Sequence, residues 1–171
     1  MPSSSLTRLK QLAREAEGYL ELNLPEHALA VLDRVGDPGS FRSTFAYLRG
    51  EALRELRRWN EALVPLREAA EMAPSDIRIW LALGWCYKRI GRLDLAIEAL
   101  EEALEARPEE ALIHYNLACY WCLAENKERT LHYLARSFDL DSQYRDLVAA
   151  ESDFNALRAD PDFQAIVSIN V

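Results

Sequence analysis

A spacing of 34 residues governs this chain. Blocks that begin at Leu9, Ser43, Ile77 and Ala111 follow one another with no insertion. The third block is the most complete. It reads Trp80-x-x-Leu83-Gly84-x-x-Tyr87, then Ala96-x-x-x-Leu100, then Ala103 and Pro108. A period of this length means one supersecondary unit used repeatedly, each unit burying its apolar side against the next. Such a stack offers an extended surface, and nothing in this chain looks arranged for chemistry.

The other blocks repeat the theme with departures. The first carries Leu9, Leu12, Ala16 and Tyr19, then Ala28 and Leu32, which fall on one helical stripe. Pro25 suits the first turn of its second helix. The block closes on the turn sequence Gly36-Asp37-Pro38-Gly39. The second has Ala46, Gly50, Leu53, Ala62, Leu66, Ala69 and Pro74, with Trp59-Asn60 at its internal turn. Gly50 and Ala62 are small enough to let two antiparallel helices approach closely. Ser75-Asp76 offers N-cap oxygens to the next helix. The fourth has His114, Leu117, Ala118, Trp121, Leu134 and Ser137, but places Thr130 and Ser142 where alanine and proline are expected.

From residue 145 the pattern stops. Two short motifs echo each other instead, Ser152-Asp153-Phe154-x-x-Leu157 and Asp160-Pro161-Asp162-Phe163-x-x-Ile166. Each sets capping residues before an apolar pair, which predicts two short helices. An end of the stack needs its apolar face covered, so these residues are expected to cap it. The alternative is a tail that folds back as an internal ligand. The expected organisation is a tail at 1–8, repeats at 9–42, 43–76, 77–110 and 111–144, and capping helices at 145–171.

Composition bounds the rest. With 50% hydrophobic and 28% charged residues, the chain is expected to be globular. A formal charge of −8 argues against nucleic acid and against an anionic membrane surface. No apolar run is long enough to span a bilayer. The first residues lack the basic and apolar regions of a secretory signal. Three cysteines make no disulfide framework, so a cytoplasmic setting is expected.

These residues justify a family resemblance. The chain resembles the tetratricopeptide-repeat family from Leu9 to about Tyr144. The resemblance implies an all-α superhelix, an α-solenoid of four helix-turn-helix repeats, here with C-terminal capping helices. It also implies a concave groove lined by the first helix of each repeat, where a partner peptide or protein docks. Groove positions taken from the family pattern include Tyr47, Arg54, Arg78, Trp85, Lys88, Arg89, Tyr115 and Asn116. The full set of groove positions holds six basic and four acidic residues, against an acidic whole. The C-terminal half is therefore expected to accept an acidic or carboxylate-bearing peptide. A chaperone-type carboxylate clamp does not fit, because Ala13 and Glu17, or Tyr47 and Glu51, stand where lysine and asparagine are needed.

The resemblance implies a non-catalytic adaptor or scaffold without a cofactor. A chaperone for secreted proteins of the type III class is the runner-up, given the chain's size and acidity. Exposed apolar groove residues permit a homodimer. Cys119-x-x-Cys122 raises a third reading, a thiol or metal protein, with Cys86 and His114 as further ligands. A helical C-x-x-C strains a disulfide, and His114 occupies a packing position of the repeat. The glutamate pairs and the remaining histidines form no catalytic arrangement.

Overall fold

A computed structural model describes residues 2–168, and among them every regular element is helical. The chain falls into two compact units, Met1–Ile90 and Gly91–Val171. The first unit holds α1 (Pro2–Glu21), α2 (Pro25–Leu32), α3 (Arg42–Glu55), α4 (Trp59–Met72) and α5 (Ile77–Arg89). A short 3₁₀ turn, Gly39–Phe41, precedes α3. The second holds α6 (Leu93–Ala106), α7 (Ala111–Leu123), α8 (Lys127–Leu140), α9 (Tyr144–Val148), a 3₁₀ run (Ser152–Leu157) and α10 (Pro161–Ser168).

The 34-residue period is written into the backbone. Asn23, Arg57, Gly91 and Glu125 are spaced by that period, and each has a positive φ of 56°, 59°, 78° and 58° respectively. Each ends the first helix of a repeat. At three of these turns the closing bonds are explicit. The N–H of Leu24 reaches Tyr19 O, that of Arg58 reaches Leu53 O, and that of Asn126 reaches Trp121 O, all at 2.8–2.9 Å. This is the Schellman closure, which needs one left-handed residue and satisfies the last carbonyls of the helix. The chain then reverses into the second helix.

Close packing follows from the small residues. In the first unit α1 pairs with α2 and α3 with α4, while α3 also packs on α1 and α5. A Cβ added at Gly50 would collide with the buried Leu66 side chain, so α3 and α4 meet at a distance only glycine allows. Leu12, Val31, Leu32, Phe45 and Leu48 fill the space between the first two hairpins. Ser43 Oγ bonds Ala69 O at 3.4 Å and ties the start of α3 to the end of α4.

In the second unit α7 pairs with α8, and the same span of 26 residues is tied from the other side, by Ser137 Oγ to Ala111 O at 3.1 Å. Thr130 replaces alanine without leaving a polar orphan. It is fully buried, and its hydroxyl donates to Asn126 O at 2.8 Å. At Ser142 the missing proline is replaced by an Asx turn, in which Asp141 accepts the N–H of Gln143. His114 takes the structural place that Trp80 holds one repeat earlier. Trp80 Nε1 donates to Pro74 O, and His114 Nε2 bonds Pro108 O, each at 2.8 Å.

The C-terminal segment packs on α7 and α8. Phe154 is fully buried, edge-on to Tyr115 (5.8 Å between centroids) and beside Phe163 (5.6 Å). The sequence predicts two short helices here, and the structure differs. The first motif is a 3₁₀ run, and α9 precedes it. This 3₁₀ run covers six residues, longer than the three or four usual for that tighter coil, and Glu151 caps it by accepting the N–H of Asp153. Asp160 caps α10 by accepting the N–H groups of Asp162 and Phe163, and Lys127 reaches both Asp160 (2.6 Å) and Asp162 (2.8 Å).

Candidate peptide-binding face

The groove positions of the first unit lie on α1, α3 and α5. Trp85 is the largest apolar group among them, 40% exposed, with Lys88 Nζ 5.5 Å above its ring. Lys88 is one turn further along α5, so helix geometry alone brings the pair together. Tyr47, on α3, lies beneath the Arg78 guanidinium of α5 at 5.1 Å. Burial, and then the Glu51 carboxylate, push the Tyr47 phenol up to about 12. Arg89 stacks on Trp59 at 5.3 Å. Cations over aromatic faces of this kind gain about 0.5–1 kcal/mol at exposed sites.

Counting charges overstates what this face offers. Arg54 is half-buried and makes a two-pronged pair with Glu51, 2.9 Å for each bond. Arg78 is held the same way by Asp76, at 3.0 and 2.7 Å. Both guanidinium groups are thus already neutralised by carboxylates of the chain. Beside Arg54, one oxygen of Glu55 is buried without a hydrogen-bond partner, and desolvation raises that carboxyl above its ordinary value. Burial also raises the nearby Cys86 thiol to about 12, which makes it a poor nucleophile.

The second unit corrects the sequence expectation at Tyr115. Its ring is 5% exposed, covered by Phe154 and by Tyr144, whose centroid is 5.1 Å away. Tyr115 is therefore part of the seat for the C-terminal segment and presents no surface to a partner. Asn116 is half-buried, and Cys119 and Cys122 are buried thiols outside any disulfide. Nothing in the local sequence around α7 signals this covering, because it depends on Tyr144 and Phe154, far downstream of Tyr115.

A family model described as tetratricopeptide repeat matches residues 53–118, which spans parts of three of the four blocks. That stretch is tetratricopeptide-repeat sequence. Anaphase-promoting complex subunit 3 of Dictyostelium discoideum is 34% identical over 71 residues, which is 41% of this chain and 7% of that protein. The chain thus matches a small fraction of that relative's length. Among solved structures, a MamA fragment from Desulfovibrio magneticus RS-1 superposes with a TM-score of 0.72 at 20% identity, covering 93% of each chain. TTC0263, a tetratricopeptide protein of Thermus thermophilus, gives 0.72 at 16% identity over 92% of this chain and 87% of its own. YrrB, described as a tetratricopeptide protein with an unusual peptide-binding site, gives 0.70 at 23% identity over 79% of this chain and 70% of its own. At these identities the likeness establishes the tetratricopeptide α-solenoid fold.

Proposed function

We propose that this chain is a non-catalytic, cytoplasmic adaptor that binds a protein or peptide on the face formed by α3 and α5. The observation that carries the reading is Trp85. Among the described residues it is the one exposed tryptophan, tyrosine or phenylalanine, 40% open where the others are buried or half-buried, and a lysine lies over its ring. Tyr47, Arg78 and Arg89 extend the same basic and aromatic character. An acidic peptide suits it. Its carboxylates can compete with Asp76 for Arg78, and its apolar groups can cover the Trp85 ring. YrrB, which shares the fold, is described as having a peptide-binding site, and that supports the general mode. No described helix is long and apolar enough to cross a membrane.

The test is fluorescence anisotropy with labelled acidic peptides, and with charge-reversed peptides as controls. Trp85→Ala and Arg89→Glu are each expected to weaken acidic-peptide binding by about tenfold, the ordinary loss at an aromatic or arginine anchor. Equal affinity of wild type and both variants would remove the reading.

A further inference from the structure

We propose that Cys119, Glu151 and Asp153 form a site for a borderline-soft divalent transition-metal ion, Zn²⁺ being the representative, which fastens the C-terminal segment to α7. Cys119 is a buried residue of α7, and the two acids stand at the entry to the 3₁₀ run that packs on that helix. The Cys119 Sγ and one carboxylate oxygen from each acid lie within 4.8 Å of one another. Glu151 Oε1 accepts the backbone N–H of Asp153 at 3.1 Å, which draws the Glu151 carboxylate to the start of the 3₁₀ run.

A second observation points into the same place. Tyr115 lies one turn before Cys119 on α7, is 5% exposed, and its hydroxyl has no hydrogen-bond partner. Buried hydroxyls are ordinarily satisfied. The Tyr115 ring meets Phe154, the residue after Asp153, edge-on, so the orphan hydroxyl belongs to the same junction of α7 and the 3₁₀ run; after burial itself, Cys119, Glu151 and Asp153 raise its phenol. Arg158 opposes them with a positive charge. Its guanidinium is held by the carbonyls of Val148, Ala149 and Glu151.

The donor set selects the ion. Hard cations take carboxylates and leave thiols alone, whereas thiolate with carboxylate suits zinc and its neighbours. Zinc binds sulfur at about 2.3 Å and oxygen at about 2.0–2.2 Å, so tetrahedral donors stand about 3.3–3.8 Å apart. Side-chain rotation of the half-buried Glu151 and Asp153 closes the remaining gap. Binding transfers the Cys119 Sγ proton to solvent and leaves a thiolate on the ion. Three protein ligands leave a fourth position for water. The site joins residues from two elements far apart in sequence, and differs from the local C-x-x-C pair because Cys122 is not a member.

Metal-free full-length protein titrated with Co²⁺ tests this, followed through the thiolate-to-cobalt absorption in the near ultraviolet. The expected result is one Co²⁺ per chain, displaced by Zn²⁺. The band is expected to vanish in Cys119→Ser and to persist in Cys122→Ser. Asp153→Asn keeps the side chain's shape, guards against misfolding of the cysteine variant, and is expected to weaken Co²⁺ binding by about tenfold or more. No thiolate band at millimolar Co²⁺ would overturn the site. So would a band that survives Cys119→Ser, or unchanged affinity in Asp153→Asn.

Discussion

At the scale of single residues, the repeat is enforced by backbone conformation more strictly than by side chains. The left-handed residue that closes each first helix is asparagine, arginine, glycine and glutamate in turn. Gly91 announces a turn in the sequence, whereas Arg57 and Glu125 carry no local signal, and only the period locates them. Their side chains offer no reason to adopt that conformation, so the surrounding hairpin imposes it. A left-handed conformation costs an ordinary L residue about 1–2 kcal/mol. Replacing it with glycine recovers that cost, less about 0.4–1 kcal/mol for the freer unfolded chain. Arg57→Gly is therefore expected to stabilise the protein by about 0.5–1 kcal/mol, and Gly91→Ala to destabilise it by about 1 kcal/mol. Urea midpoints measure both. A lower midpoint for Arg57→Gly would mean that the exposed arginine contributes more than its strained backbone costs.

At the scale of elements, the start of α5 was legible and its side-chain pairing was not, while α1 begins at Pro2, inside the stretch expected as a tail, and α4 begins at Trp59, expected in a turn. Ser75-Asp76 reads as a cap in the sequence, and Asp76 is the residue that caps α5, accepting the N–H of Arg78 at 3.1 Å. That the same carboxylate also grips the Arg78 guanidinium cannot be read from spacing, since it depends on rotamers. Pro65 shows the reverse case. It sits inside α4, where a proline withholds a ladder bond, yet the buried Leu63, Leu66 and Ala69 around it keep the helix intact. The Asp76 pair has a consequence in pH. The side-chain bond to Arg78 holds the Asp76 carboxyl below its ordinary value. Its stabilising effect is therefore present above the unfolded value of about 3.9 and is lost as pH falls through the lower folded value. Asp76→Ala is expected to cost about 1 kcal/mol at pH 7, the usual worth of an N-cap. The difference from wild type is expected to shrink below about pH 4, as followed by thermal melts across pH. A constant difference down to about pH 2, below both the folded and unfolded values, would show that the charge of Asp76 plays no part.

At the scale of the whole chain, the fold was legible because it is a sum of short-range decisions. Leu32, Leu66, Leu100 and Leu134 recur at one repeat position and are all buried, as are Ala28, Ala62, Ala96 and Thr130 at another. The candidate surface was less legible. Arg54 and Arg78 proved to be paired, and Tyr115 proved to be covered, through contacts that no period encodes. The covering of α7 by the C-terminal segment is the part of the molecule most open to test. Removing residues 145–171 strips Phe154 from Tyr115 and Asp153 from the neighbourhood of both α7 thiols. Cys119 and Cys122 are then expected to become reactive, and the apolar face of α7 to drive self-association. Cys86 lies in the other compact unit and owes its high pKa to burial there, so its reactivity is expected to stay low. Rates of modification by a thiol reagent, read residue by residue by mass spectrometry, separate the three. If Cys119 and Cys122 stay as slow as Cys86, α7 does not depend on this segment for its cover. If all three speed up together, the deletion has unfolded the chain as a whole, and its two units are coupled more tightly than stacked repeats require.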